Sequence, residues 1–145
     1  MKARLLLAVL VVTAVIAGRS LQADSKPGPD VKCPVSGKAV NPEATVDYNG
    51  GKVYFCCNNC PKVFSANTDK YAAKANHQLV QTGQLKQIAC PLTGKPVNPA
   101  TETDVQGVKV SFCCNNCKGK VAAASGEQQL QIVFGNTKKG YEAAK

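Results

Sequence analysis

The sequence predicts an α+β protein of two small duplicated units, each a cysteine turn, a β-hairpin and a short helix, joined by a short helix and hairpin. Two observations carry this. Cys33, Cys56, Cys57 and Cys60 recur at the same spacing as Cys90, Cys113, Cys114 and Cys117, which accounts for all 8 cysteines. The flanks recur too: 17 of 28 residues are identical, without a gap, between 33–60 and 90–117. Self-similarity at fixed spacing is the mark of a repeated structural unit. Soft ligands held at fixed spacing in each copy point to metal binding.

Taken in order, residues 1–23 read as a secretory signal peptide. Met1-Lys2-Ala3-Arg4 is a basic start, Leu5 to Ala17 is apolar apart from Thr13, and Leu21-Gln22-Ala23 offers a cleavage site. The apolar run is shorter than the ~20 residues a transmembrane helix needs. The expected mature protein is therefore exported, periplasmic or secreted, with no membrane association after cleavage. Residues 24–32, rich in Pro and Gly, read as a flexible leader.

The first unit is expected over 33–76. Cys33-Pro34-Val35-Ser36-Gly37-Lys38 reads as a tight turn. Thr45–Tyr48 and Lys52–Phe55 flank Asn49-Gly50-Gly51, a strong hairpin signal, and the second strand leads directly to Cys56. Asn58 or Asn59 then caps a helix with Cys60 at its start and Pro61 in its first turn. A turn cysteine, a strand-end cysteine and a helix-start cysteine converge on one point, as in treble-clef zinc domains, and the helix N-terminus favours thiolate charge there.

Between the copies, 69–76 reads as helix, and 77–89 as connecting strands in a hairpin about Thr82-Gly83. The second unit is expected over 90–134, with a hairpin across Asp104–Gly107 and Lys109–Phe112, a helix shortened by Gly119 and Gly126, and a strand at 129–134. Residues 135–145 read as a polar tail. Each unit has only about 55 residues, a size at which an apolar core alone is marginal and metals or disulfides commonly supply folding energy.

The charge is +9 overall and, with 1–23 removed, 15 lysines face nine acids with no arginine left. Arginine is the residue of choice for bidentate phosphate and guanine contacts, so specific nucleic-acid binding is not expected. His77 is the single histidine and lies outside both clusters, so it reads as a structural residue. Acid pairs, phosphate loops and Ser-His-Asp sets do not stand out, which points away from an enzyme.

At Cys33, Gly37, Asn41-Pro42, Tyr54-Phe55, Cys56, Cys60 and Phe64 the chain resembles the YHS and TRASH families of small metal-binding domains. Copy two matches at Cys90, Gly94, Asn98-Pro99, Phe112, Cys113 and Cys117, with Val121 in place of the helix phenylalanine. The resemblance covers roughly 33–71 and 90–121 and implies binding of zinc or copper, with another metal-handling protein as the partner class. It implies no reaction. A related zinc-bearing ribosomal domain often has a second cysteine three residues after the first, where this chain has Ser36 or Thr93. The chain instead gains Cys57 and Cys114 beside the strand-end cysteines. Adjacent side chains on an extended strand point to opposite faces. Cys33, Cys56 and Cys60 are thus the firmer ligands with Cys57 as fourth, and Cys90, Cys113 and Cys117 rank likewise above Cys114.

Four thiolates suit zinc, whose structural sites contribute on the order of 10 kcal/mol each in small domains. Three suit copper(I) as the alternative. Two further alternatives follow from export and from the Cys57-Asn58-Asn59-Cys60 spacing: a disulfide-stapled interaction module and a thiol–disulfide redox protein.

Overall fold

The computed structural model describes residues 27–145, so the signal peptide read over 1–23 lies outside the described residues. The class is α+β, as expected. The elements are β1 (Asn41–Tyr48), β2 (Gly51–Phe55), α1 (Asn59–Ala66), α2 (Thr68–Gln81), β3 (Leu85–Gln87), β4 (Asn98–Val105), β5 (Val108–Phe112), α3 (Asn115–Ala123), α4 (Gly126–Phe134) and β6 (Tyr141–Ala143). A short 3-10 turn, Thr137–Lys139, precedes β6. None of the described helices is long and apolar enough to cross a membrane.

Both hairpins form where the turn residues place them. Asn49-Gly50 and Gln106-Gly107 are all left-handed, with φ of 50°, 81°, 56° and 83°, the signature of a two-residue type I′ turn. That turn matches the right-handed twist of its strands. Pairing runs Tyr48↔Gly51 to Thr45↔Tyr54 in the first hairpin and Val105↔Val108 to Thr103↔Val110 in the second. Each then shifts register before its asparagine meets the aromatic residue ahead of the cysteines, Asn41↔Phe55 and Asn98↔Phe112. In the second copy the buried Thr101 hydroxyl lies within donor reach of the Asn98 and Phe112 carbonyls, with one proton to give between them, and accepts from the Phe112 N–H at the backbone opened by that shift.

The connector differs from the hairpin read over 77–89. Residues 77–81 continue α2 rather than forming a strand, and β3 pairs instead with β6, in antiparallel register Leu85↔Ala143, Lys86↔Glu142, Gln87↔Tyr141. The helix wins because Ala75, Gln78 and Leu79 share one buried face at helical spacing. Residues 129–134 are likewise helical, not a strand: Leu130, Val133 and Phe134 are buried at helical spacing while Ile132 is exposed. The segment read as a polar tail is held in the fold, with Thr137 and Tyr141 buried. Gly140 is needed at that point, since a Cβ there would come within 2.7 Å of the Pro91 Cα. The flexible leader also ends early, because Val31 is buried and Lys32 pairs with Ala39.

One apolar core runs through both copies, from Val53, Phe55, Phe64 and Leu79 to Val110, Phe112, Val121 and Phe134. Phe64 packs edge-on against Tyr48 and tilted against Phe55, with centroids 5.2 and 5.4 Å away. Helices α2 and α4 lie against each other, with Lys74 paired to Glu127. Asn49 in the first turn donates to Asn76 Oδ1 and Thr137 Oγ1, and Asn76 donates to the Phe134 carbonyl, tying the first hairpin to the end of the second copy.

Three glutamine side chains finish the outward edges of the hairpins. Gln84 serves Lys52, Gln78 serves Tyr54 and Gln87 serves Ser111, each accepting from the backbone N–H and donating to the carbonyl of one residue at 2.6–3.0 Å. Each amide stands in for a residue of a neighbouring strand, so these edge groups are not left open to pairing.

Candidate metal centres

Each centre is built from a turn, a strand end and a helix start. In the turn, the Cys33 N–H donates to Lys38 O and the Gly37 N–H to Cys33 O, both at 2.8 Å, and copy two repeats this with Cys90, Lys95 and Gly94 at the same distances. Gly37 and Gly94 have φ of 71° and 72°, a left-handed conformation that glycine adopts without a Cβ penalty. The turn buries Cys33 and Cys90. β2 and β5 end one residue before Cys56 and Cys113, while α1 and α3 carry Cys60 and Cys117 in their first turns. Neither helix has a side-chain cap, so the expected Asn58 or Asn59 cap is not made.

Within each set, Cys33, Cys56 and Cys60, or Cys90, Cys113 and Cys117, the sulfurs lie within 4.8 Å of one another, two members buried and one half-buried. Individual separations are 3.5 Å for Cys56–Cys60 and 3.8 Å for Cys113–Cys117. A tetrahedral ion with metal–sulfur bonds of about 2.3 Å holds its sulfurs about 3.8 Å apart, so the donor sets fit a thiophilic ion. Cys57 is exposed and outside the mutually close set, yet its sulfur is 3.8 Å from Cys56 Sγ and 3.6 Å from Cys60 Sγ. Cys114 is likewise exposed, 3.7 Å from Cys113 Sγ. All eight cysteines are free thiols here.

The electrostatics split the thiols into groups. Burial pushes the Cys33 thiol up, but hydrogen bonds from the Ser36 hydroxyl and nearby backbone N–H groups outweigh it and bring the pKa down to about 7. Cys90 follows the same balance, with burial opposed by the Thr93 hydroxyl and backbone N–H groups, down to about 6. Cys60 and Cys117 go the other way, pushed up to about 12 by burial and by donating to neighbouring sulfurs. Cys57 and Cys114 are lowered, first by the backbone N–H groups of Cys60 and Cys117 at the helix starts. Each centre thus places two thiols of lowered pKa beside one of raised pKa, which would release its proton to solvent when a cation takes the proton's place.

Two residues that spacing did not single out as partners of the cysteines contact them. The Ser36 hydroxyl is 3.1 Å from Cys56 Sγ, and Thr93 Oγ1 is 3.4 Å from Cys113 Sγ. The one available signal was their position, three residues after the turn cysteine. A hydroxyl there lies within hydrogen-bond reach of the half-buried cysteine sulfur of its centre. His77 is not part of either centre: its Nε2 lies 3.1 Å from the Gln106 carbonyl, and its ring meets Phe134 at 5.1 Å between centroids.

No protein-family model, no curated protein and no solved structure matches the chain.

Proposed function

We propose that this is an exported, non-enzymatic protein that holds one thiophilic metal ion in each of its two cysteine centres, in a structural or metal-trafficking role. The single observation that supports it best is the convergence of three sulfurs within 4.8 Å, twice, from a turn on one side and a strand end and helix start on the other. Zinc comes first because the sulfur separations match those around a tetrahedral thiolate-bound ion. The exposure of Cys57 and Cys114 favours a second reading, copper(I) in the buried three-sulfur set, since copper(I) is well served by soft thiolates. The resemblance to YHS and TRASH domains supports the same reading from the sequence side, and the signal-like residues 1–23 support export.

The test is native mass spectrometry of the purified mature protein, with elemental analysis and a thiol count after denaturation. Two ions per chain and eight thiols released on unfolding are the expected result. A metal-free protein with its cysteines in disulfides would overturn the reading and favour the stapled module.

A further inference from the structure

Cys57 and Cys114 have no place in the packing. Both side chains are exposed, and neither helix start is capped by a side chain, although Cys114 occupies the cap position of α3. Neither belongs to the mutually close sulfur set. Even so, Cys57 lies within 3.8 Å of two members of its set, on their solvent side, and Cys114 lies 3.7 Å from Cys113 of the other set. A ligand needed only to hold an ion in place would be buried with the others, as Cys33 and Cys60 are at 2% and 7% exposure. A thiol that touches both the site and the solvent is instead placed where an ion arrives and leaves.

We propose that Cys57 and Cys114 are exchange ligands, through which a thiolate-bearing donor or acceptor passes a thiophilic ion to and from the buried triads. The inference rests on the metal-binding reading above. On loading, the Cys57 sulfur forms a bond to the ion as one sulfur of the carrier lets go, and the thiol proton passes to water. Cys56 and Cys60 bind next, each as a further carrier sulfur lets go, and Cys33 binds last as the Cys57–metal bond breaks. Each incoming thiol loses its proton to water and Cys57 regains one, leaving the ion on Cys33, Cys56 and Cys60 with a water completing the tetrahedron of a zinc ion. Release runs the same steps in reverse. No electron changes hands, and the carrier recovers a proton for each sulfur it gives back.

The experiment uses the mature chain loaded with zinc, beside Cys57→Ser, Cys114→Ser and the double variant. Bound zinc is counted first, and transfer is then followed to glutathione in one arm and to a peptide carrying a Cys-x-x-Cys pair in the other. The expected result is two zinc ions in every variant, with transfer at least about tenfold slower in the double variant and one slowed phase in each single variant. Slowing in both arms identifies any accessible thiol as the carrier, and slowing in the peptide arm alone identifies a protein dithiol. Full binding with unchanged transfer rates would overturn the exchange role while leaving the metal reading intact. Loss of bound zinc from the double variant would also overturn it, by making these cysteines permanent ligands. A wild-type chain that takes up no zinc would remove the reading on which the inference rests.

Discussion

The side-chain amide of Gln78 occupies the place of a missing strand beside Tyr54, accepting from its N–H at 2.7 Å and donating to its carbonyl at 2.8 Å. Gln78 is 1% exposed, so water is not a ready substitute for either bond. The same amide also reaches the Lys32 carbonyl at 3.0 Å, anchoring the residue that precedes Cys33.

Replacing Gln78 by methionine, close in size but without the amide, should therefore cost about 3 kcal/mol, the consequence of stranding buried backbone groups. Chemical denaturation checks this. A loss within a few tenths of a kcal/mol would show that the edge of β2 finds another partner. Gln84→Met, whose amide serves the more exposed Lys52, should cost less in the same assay.

Alkylation of the metal-free protein should follow a fixed order. Cys57 and Cys114, exposed and with lowered pKa, react first; Cys60 and Cys117, buried and pushed up to about 12, react last. Peptide mapping after short exposure to a maleimide reads the order directly. Early labelling of Cys60 would mean that the helix start opens readily.

Acid should empty both centres, at a pH set by their turn cysteines. Cys33 is held at about 7 and Cys90 at about 6, both below the ordinary 9.0. A thiol of lowered pKa competes less for protons, so both centres should keep their ions below the pH at which an ordinary thiol is protonated. In the metal-free protein the sign is the same. The stability these thiolates contribute is present above pH 9.0 and is lost as pH falls through about 7 for Cys33 and about 6 for Cys90. Ser36→Ala removes the hydroxyl donor, so release from the first centre should move to higher pH and its affinity fall by about tenfold or more. A chelator-monitored pH titration of both proteins decides it, and coincident release curves would contradict the assignment.

Deleting residues 136–145 should destabilise the whole chain, not just its end. The deletion removes the partner of β3, the buried Tyr141 ring 5.7 Å from Phe134, and the Thr137 hydroxyl that accepts from Asn49. Thermal unfolding should occur at markedly lower temperature, and in one transition, because one core serves both copies. An unchanged midpoint would mean that the β3–β6 pair contributes little.

The parts of the fold legible in the sequence are those with local signals. Asn49-Gly50 specifies a hairpin by its backbone preference, and the cysteine spacing specifies the convergence of Cys33, Cys56 and Cys60. The connector was misread because β3 takes its partner from beyond the second hairpin, which no local window contains. The strand read at 129–134 failed because Ile132, Val133 and Phe134 have strand-like composition, whereas burial of Leu130, Val133 and Phe134 follows the helical period. At the centres, the positions of Ser36 and Thr93, three residues after the turn cysteines, are legible, but their role as hydroxyl partners of Cys56 and Cys113 shows only in the distance to a sulfur.

The two kinds of contact in this chain also imply a sequence of events. Cys33 to Cys60 closes less than half the chain separation that Leu85 to Ala143 does, and the hairpin within it zips from a two-residue turn. Closing a longer loop carries a larger entropy cost, and hairpins form in roughly microseconds. A newly unfolded chain should thus assemble its sulfur clusters before β3 meets β6. Metal present during refolding would then act as a nucleus, accelerating the search for the remaining contacts, whereas metal supplied afterwards would enter centres already formed and leave the folding rate unchanged.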